Sequence, residues 1–168
     1  LFGVLHSLWA ESWGPRLGDV LHAGLLTLSL EPGHSLVELP LLLTNPGFRR
    51  PLVALARQRD PLGLAGFWGW FDELSPEQSA QVLAPVMNKL RTFVLRPDLR
   101  AVLGQTEPRF DLSEIFGAEA LPGRALLVRL PRGELGAEAA TLLGSLVVHQ
   151  VWQASQARSG MRNGRRSP

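Results

Sequence analysis

The chain contains no cysteine. Disulfides and thiolate metal sites are therefore excluded, a usage that fits a reducing compartment. Lysine is nearly absent: Lys89 stands alone against sixteen arginines. With abundant leucine, alanine and glycine, this bias fits a GC-rich genome better than a binding surface. Long apolar runs are also missing. The longest, Leu142–Val148, falls far short of the roughly 20 residues that span a bilayer. Leu1–Ala10 is too short for a secretory leader and lacks a basic lead. A phosphate cradle needs Gly-x-x-x-x-Gly-Lys-Ser/Thr, because backbone amides wrap the phosphates and the lysine reaches them. The sole lysine lies instead in Met87-Asn88-Lys89-Leu90, so that motif is absent. No Gly-x-Ser-x-Gly elbow occurs, and His6, His22, His34 and His149 show no pairing at metal-ligand spacing. A self-contained active site is not expected.

What is present is enough for a substantial core: 168 residues, 45% of them hydrophobic. Leu1 opens directly into an apolar run, as expected of a cut or processed edge. The net charge of +2 is uneven. Arg158, Arg162, Arg165 and Arg166 crowd the last eleven residues, and without them thirteen basic side chains face fifteen acidic ones. The high isoelectric point thus belongs to a tail and to arginine usage, not to a globally basic surface.

Proline and glycine divide the first two-thirds into short helices. After Ser12-Trp13-Gly14-Pro15-Arg16, the residues Leu17, Val20, Leu21, Gly24, Leu25 and Leu28 recur at helical spacing until Glu31-Pro32-Gly33. Ser35 with Glu38 forms a capping box ahead of Leu39, Leu42 and Leu43. Thr44–Gly47 reads as a turn, Phe48–Arg57 and Pro61–Leu74 as helices. Phe71-Asp72-Glu73 reads as an ordinary helix end, since the acidic pair of a nucleotide site needs an apolar strand before it. Ser75–Leu95 is the best-specified helix, with Pro76 in its first turn, Gln78 completing a capping box, and a kink expected at Pro85. Arg96-Pro97 ends it, and a short helix from Asp98 closes at Gly104.

Beyond Gly104 the character changes. Gln105–Phe110 reads as extended and Asp111–Phe116 as a turn or two of helix. Ala125–Leu130 is an apolar run between turn residues, which predicts a buried strand. Leu135–Arg158 reads as a long helix, apolar nearly all round between Ala139 and Val148. A strand followed by a buried helix is half of a βαβ unit, and one strand cannot make a sheet. Its neighbours are expected outside this stretch of sequence. The last ten residues read as a disordered basic tail.

Two basic groups are candidates for phosphate contact. Lys89, Arg91, Arg96 and Arg100 fall within twelve residues, opposed only by Asp98. Spacings of seven and four place Lys89, Arg96 and Arg100 on one side if the Pro97 break is mild. The plainer reading is a solvated helix face. Arg49 and Arg50 are a second, weaker group. The tryptophans Trp9, Trp13, Trp68, Trp70 and Trp152 are by default core.

Three ordered sets of strings carry a family resemblance. The first is Ser12-Trp13-Gly14-Pro15-Arg16 with its apolar helix. The second is Leu83–Arg91 running into Leu95-Arg96-Pro97 and Leu103-Gly104-Gln105. The third is Arg109-Phe110-Asp111-Leu112, Leu126-Leu127-Val128, Leu135-Gly136 and Ala139–Gly144. Over roughly residues 5–157 they resemble the middle of the type IV secretion coupling ATPases, conjugative HerA- and FtsK-like DNA pumps of the kind found in Gram-positive, GC-rich bacteria.

The resemblance implies a mainly α fold: a helical insert domain over 1–104, then a partial return to a RecA-like α/β core over 105–158. The strand falls at about 125–130, the long helix at about 135–158, and the basic tail over 159–168. The parent would be a hexameric DNA translocase at the cytoplasmic face of the bacterial inner membrane, held by an anchor encoded elsewhere. ATP and magnesium are implied for that parent, not for this chain. DNA or relaxase–DNA cargo is the implied partner, with Lys89, Arg91, Arg96 and Arg100 in the insert that meets it. Past Arg158 the family runs into an apolar strand with an acidic pair, which this sequence lacks, so ATP hydrolysis by this chain alone is not expected. The alternative is a stand-alone helical protein-interaction or DNA-binding module without ATPase activity.

Overall fold

The computed structural model describes residues 1–107, Ile115 and 125–164, with side chains to Gln156. These residues are mainly helical, and no β-strand occurs among them. Two compact units divide the chain: Phe2 with Trp9–Glu107, and Leu1 and Gly3–Leu8 with Pro108–Pro168.

The first unit is helical throughout. Helix α1 (Phe2–Leu8) belongs, Phe2 apart, to the second unit; in the first, a 3-10 turn at Ala10–Ser12 precedes α2 (Pro15–Leu28), α3 (Leu39–Thr44), α4 (Pro46–Arg59), α5 (Leu64–Asp72), α6 (Pro76–Val94) and α7 (Pro97–Leu103). The hub is α2, which packs against α3, α4, α5 and α6. Burial reaches most of its circumference: Leu17, Val20, Leu21, Ala23, Gly24, Thr27 and Leu28 are all inside. A hub surrounded by neighbours must be apolar nearly all round. Gly24 keeps it close to α3, because a Cβ there would stand 2.5 Å from Leu39 Cδ1. Phe2 closes against Trp13, edge-on at 5.5 Å between ring centroids.

The lock between α2 and α5 is polar. Trp68 is wholly buried, and its indole N–H donates to Thr27 Oγ1 at 2.9 Å. The Thr27 hydroxyl donates in turn to the Ala23 carbonyl, 2.7 Å away. Two buried polar groups are thereby satisfied at once.

Helix boundaries follow local chemistry. The Ser75 backbone N–H donates to Gln78 Oε1 at 3.0 Å, and the Gln78 N–H donates to Ser75 Oγ at 3.3 Å, completing the expected box. The Ser35 N–H donates to Glu38 Oε2 at 2.6 Å in the other. The expected start of α4 at Phe48 is corrected to Pro46. Asn45 Oδ1 accepts the Gly47 and Phe48 amides at 2.9 and 3.2 Å, so the presumed turn is the helix cap. Pro85 lies inside α6 and leaves the Gln81 carbonyl without its helical donor. Phe71-Asp72-Glu73 is the C-terminal end of α5, as expected.

Asp60 makes the turn between α4 and α5. Its carboxylate accepts the Gly63 and Leu64 amides, each at 2.9 Å. Those hydrogen bonds, Gly63 first, hold its pKa below the ordinary aspartate value. A Cβ at Gly63 would collide with Asp60 Oδ2, so only glycine allows this approach.

In the second unit, residues 125–130 lead into α8 (Arg132–Leu135) and α9 (Ala137–Gly164), joined by Gly136 at φ 75°. The left-handed φ is what glycine supplies. The expected buried strand at 125–130 is corrected in part. These residues form neither helix nor ladder among the described residues, and Leu127 is 94% exposed. A strand needs a neighbour to accept and donate its backbone hydrogen bonds, and no described residue fills that place. Leu130 does face the long helix, since a Cβ on Gly144 would come within 3.2 Å of its Cδ1. The long helix runs to Gly164 rather than stopping at Arg158, so 159–164 are helical and not the expected disordered tail. A nucleated helix propagates cheaply, and no proline intervenes before Pro168. Of the stretch read as extended, 105–107 are non-helical, while 108–110 and the turn at 111–116, Ile115 apart, lie outside the described residues.

Two predictions follow from these contacts. Thr27→Val keeps the volume but strands the Trp68 indole N–H, and unfolding in denaturant is expected to show a loss of about 1–3 kcal/mol. Thr27→Ser should retain most of that stability, and equal stability of wild type and the valine variant would refute the lock. For Asp60, a folded pKa below the unfolded one stabilises the fold above about pH 4 and loses that contribution as pH falls further. The urea midpoint of wild type is therefore expected to drop more between pH 7 and 3 than that of Asp60→Asn, in keeping with the carboxylate's ordinary titration range of about 4.

Candidate nucleic-acid interface

Two members of the expected cluster at the end of α6 have partners within the chain. Lys89 Nζ donates to Ser12 Oγ at 2.5 Å and sits 5.2 Å from the centroid of the buried Trp9 ring. Trp9 itself stacks on Phe93, 5.7 Å between centroids. The one lysine is thus held as a cation over an aromatic face. Arg91, two residues on, points about 200° away around the helix. It is exposed. Arg96 is half-buried at the N-cap of α7. Arg100 Nη1 donates to the Val94 carbonyl at 3.4 Å, at the last turn of α6. The sequence grouped these four by charge and helical spacing, and the structure gives Lys89 and Arg100 intramolecular acceptors.

The second group is better built. On α4, Arg49, Arg50, Val53, Ala54 and Arg57 recur at helical spacing and line one groove of about 360 Å³, with Asp72 of α5 opposite. Asp72 bridges two of the arginines: Oδ1 accepts from Arg49 Nη2 at 3.3 Å and Oδ2 from Arg57 Nη2 at 3.0 Å. Arg49 is anchored further. Its Nη1 donates to the Leu43 carbonyl at 3.3 Å, and its guanidinium carbon lies 5.1 Å from the Phe71 centroid and 6.0 Å from that of Trp68. Only 16% of its side chain is exposed, against 47% for Arg57. Arg50 is exposed. Three cations and one carboxylate leave a net +2 in the groove.

Sequence reasoning named Arg49 and Arg50 but missed Arg57 and Asp72. The spacing of seven from Arg50 to Arg57 marks two turns of one helix face and was a usable signal. Asp72 lies fifteen residues beyond Arg57, and nothing in the string pairs them. Of the tryptophans, Trp9 and Trp68 are core, whereas Trp70 and Trp152 are exposed. His6 and His22 are exposed, His34 and His149 half-buried. No helix among the described residues is long and apolar enough to cross a membrane.

Comparison with protein-family models, curated proteins and solved structures finds no match to this chain.

The burial contrast within the groove sets a stability prediction. Arg49→Gln should lower unfolding free energy by about 1–3 kcal/mol, because it orphans the Leu43 carbonyl and strips packing from Phe71. Arg50→Gln should stay within about 0.5 kcal/mol of wild type. Equal effects in chemical denaturation would contradict the anchoring of Arg49.

Proposed function

We propose that this chain is the helical insert, with one returning core segment, of a DNA-translocating ATPase resembling the type IV secretion coupling proteins. The strings over residues 5–157 occur in that family's order. A helical unit over Trp9–Glu107 is what an insert would supply. The observation that carries the reading is residues 125–130: an apolar, non-helical segment ahead of a 28-residue helix, with Leu127 and Val128 turned to solvent. Such a run, without hydrogen-bonding neighbours among the described residues, is an aggregation hazard unless a sheet elsewhere receives it. In the parent, that sheet belongs to the rest of the ATPase core, assembled as a homo-hexamer at the inner membrane.

ATP and magnesium bind elsewhere in such a parent. The residues here do not fit a nucleotide: no glycine-rich loop precedes Lys89, whose ammonium is engaged by Ser12 and Trp9. The helical unit meets DNA or relaxase–DNA cargo, and the end of α6 is its first candidate surface. A stand-alone helical module is the second reading. The closed core around Trp68 favours it, and the exposed run at 125–130 argues against it.

The DNA contact is tested with Lys89, Arg91, Arg96 and Arg100 all changed to glutamine. Affinity for a DNA duplex at low salt should fall, and the slope of log K against log salt should shrink by about 1 for every phosphate contact removed. Unchanged affinity and slope would remove α6 from the interface.

A further inference from the structure

We propose that the α4–α5 groove is a phosphate-binding site in which Arg50 and Arg57 grip the ligand, Arg49 is the fixed wall, and Asp72 is a built-in competitor. This site lies apart from the α6 cluster and does not depend on the ATPase reading. Its geometry assigns the roles. Arg49 is immobilised by the Leu43 carbonyl, by Asp72 and by two aromatic faces, so it contributes a stationary positive charge. Arg57 is half-exposed and shares Asp72 with Arg49 through the second carboxylate oxygen. A guanidinium presents five donors, and one carboxylate oxygen occupies few of them. Arg50 projects from the same face and is exposed. Phosphate matches this donor array, because guanidinium forks bind its oxygens in pairs.

Spacing separates the possible sources of the phosphate. Arg50 and Arg57 are seven residues apart, or about 10 Å along the helix axis. Over that length duplex DNA presents about six phosphates, so a nucleic-acid backbone can engage both arginines together. A free phosphate ion engages one end. Asp72 opposes either ligand, since its negative charge repels an arriving phosphate and its oxygen occupies one of the Arg57 donors. Its removal should tighten binding, the reverse of what a structural ion pair alone would do.

The test uses the full chain with a fluorescein-labelled DNA duplex in about 50 mM salt, where phosphate contacts are least screened. Inorganic phosphate is titrated separately and followed through the arginine Nε–H signals in two-dimensional NMR. Retention of the melting temperature confirms that the exposed double variant R50Q/R57Q is folded. It should bind the duplex roughly tenfold more weakly, with a salt slope shallower by about 2. D72N should bind more tightly than wild type. Loss of phosphate-ion binding in R50Q/R57Q, with the duplex bound as before, supports the site and names a small phosphate as its ligand. Wild-type binding of both ligands by R50Q/R57Q, no gain in D72N, or no binding of either ligand by wild type would each overturn the proposal. Failure of the α6 variant alone leaves these results independent.

Discussion

Trp68 can occupy the centre of the helical unit only because Thr27 accepts its indole proton. Burying a tryptophan removes about 200 Å² from water, an upper value of about 5 kcal/mol. An unsatisfied indole N–H would cancel a large part of that gain. With Thr27 in place, α5 is fixed in register against α2, and α2 holds α3, α4 and α6. The position of α5 then decides where Phe71 and Asp72 stand. Those two residues orient Arg49 and Arg57 across the groove. A single buried hydrogen bond at the hub therefore sets the geometry of a charged surface at the edge.

The same logic sorts the basic side chains by what they are free to do. A cation with intramolecular acceptors contributes to the fold before it contributes to a ligand. Lys89, over Trp9 and against Ser12, is of that kind, and so is Arg49. Arg50 and Arg91 carry their charge into solvent, while Arg57 shares Asp72 with Arg49 and keeps about half of its side chain exposed. Surface charges of this sort add little to stability, and their effect on association is long-ranged and salt-dependent. Charge counting along the string treats all of them alike, and only burial and partners separate them.

Local chemistry was legible in the sequence. The boxes at Ser35–Glu38 and Ser75–Gln78, the proline starts of α2 and α6, and the stop before Pro97 were readable because each acts within four residues. The mainly α character followed from them. Contacts spanning longer separations were not legible. Thr27 and Trp68 lie 41 residues apart, and Arg49 and Asp72 lie 23 apart. Asn45 was read as part of a turn because a turn and an N-cap use the same residue type. The run at 125–130 was read as a buried strand, and its exposure was not readable, since apolar content does not say which neighbours are present. The long helix outran its expected end because glycine and arginine weaken a helix without stopping it.

We propose that this chain is part of a nucleotide-driven DNA motor. Sequencing the coding region on both sides tests it most directly. The account predicts Gly-x-x-x-x-Gly-Lys-Ser/Thr upstream and an apolar strand ending in an acidic pair downstream, in one reading frame with residues 1–168. A reading frame without either motif, or one joining these residues to an unrelated domain, would contradict it.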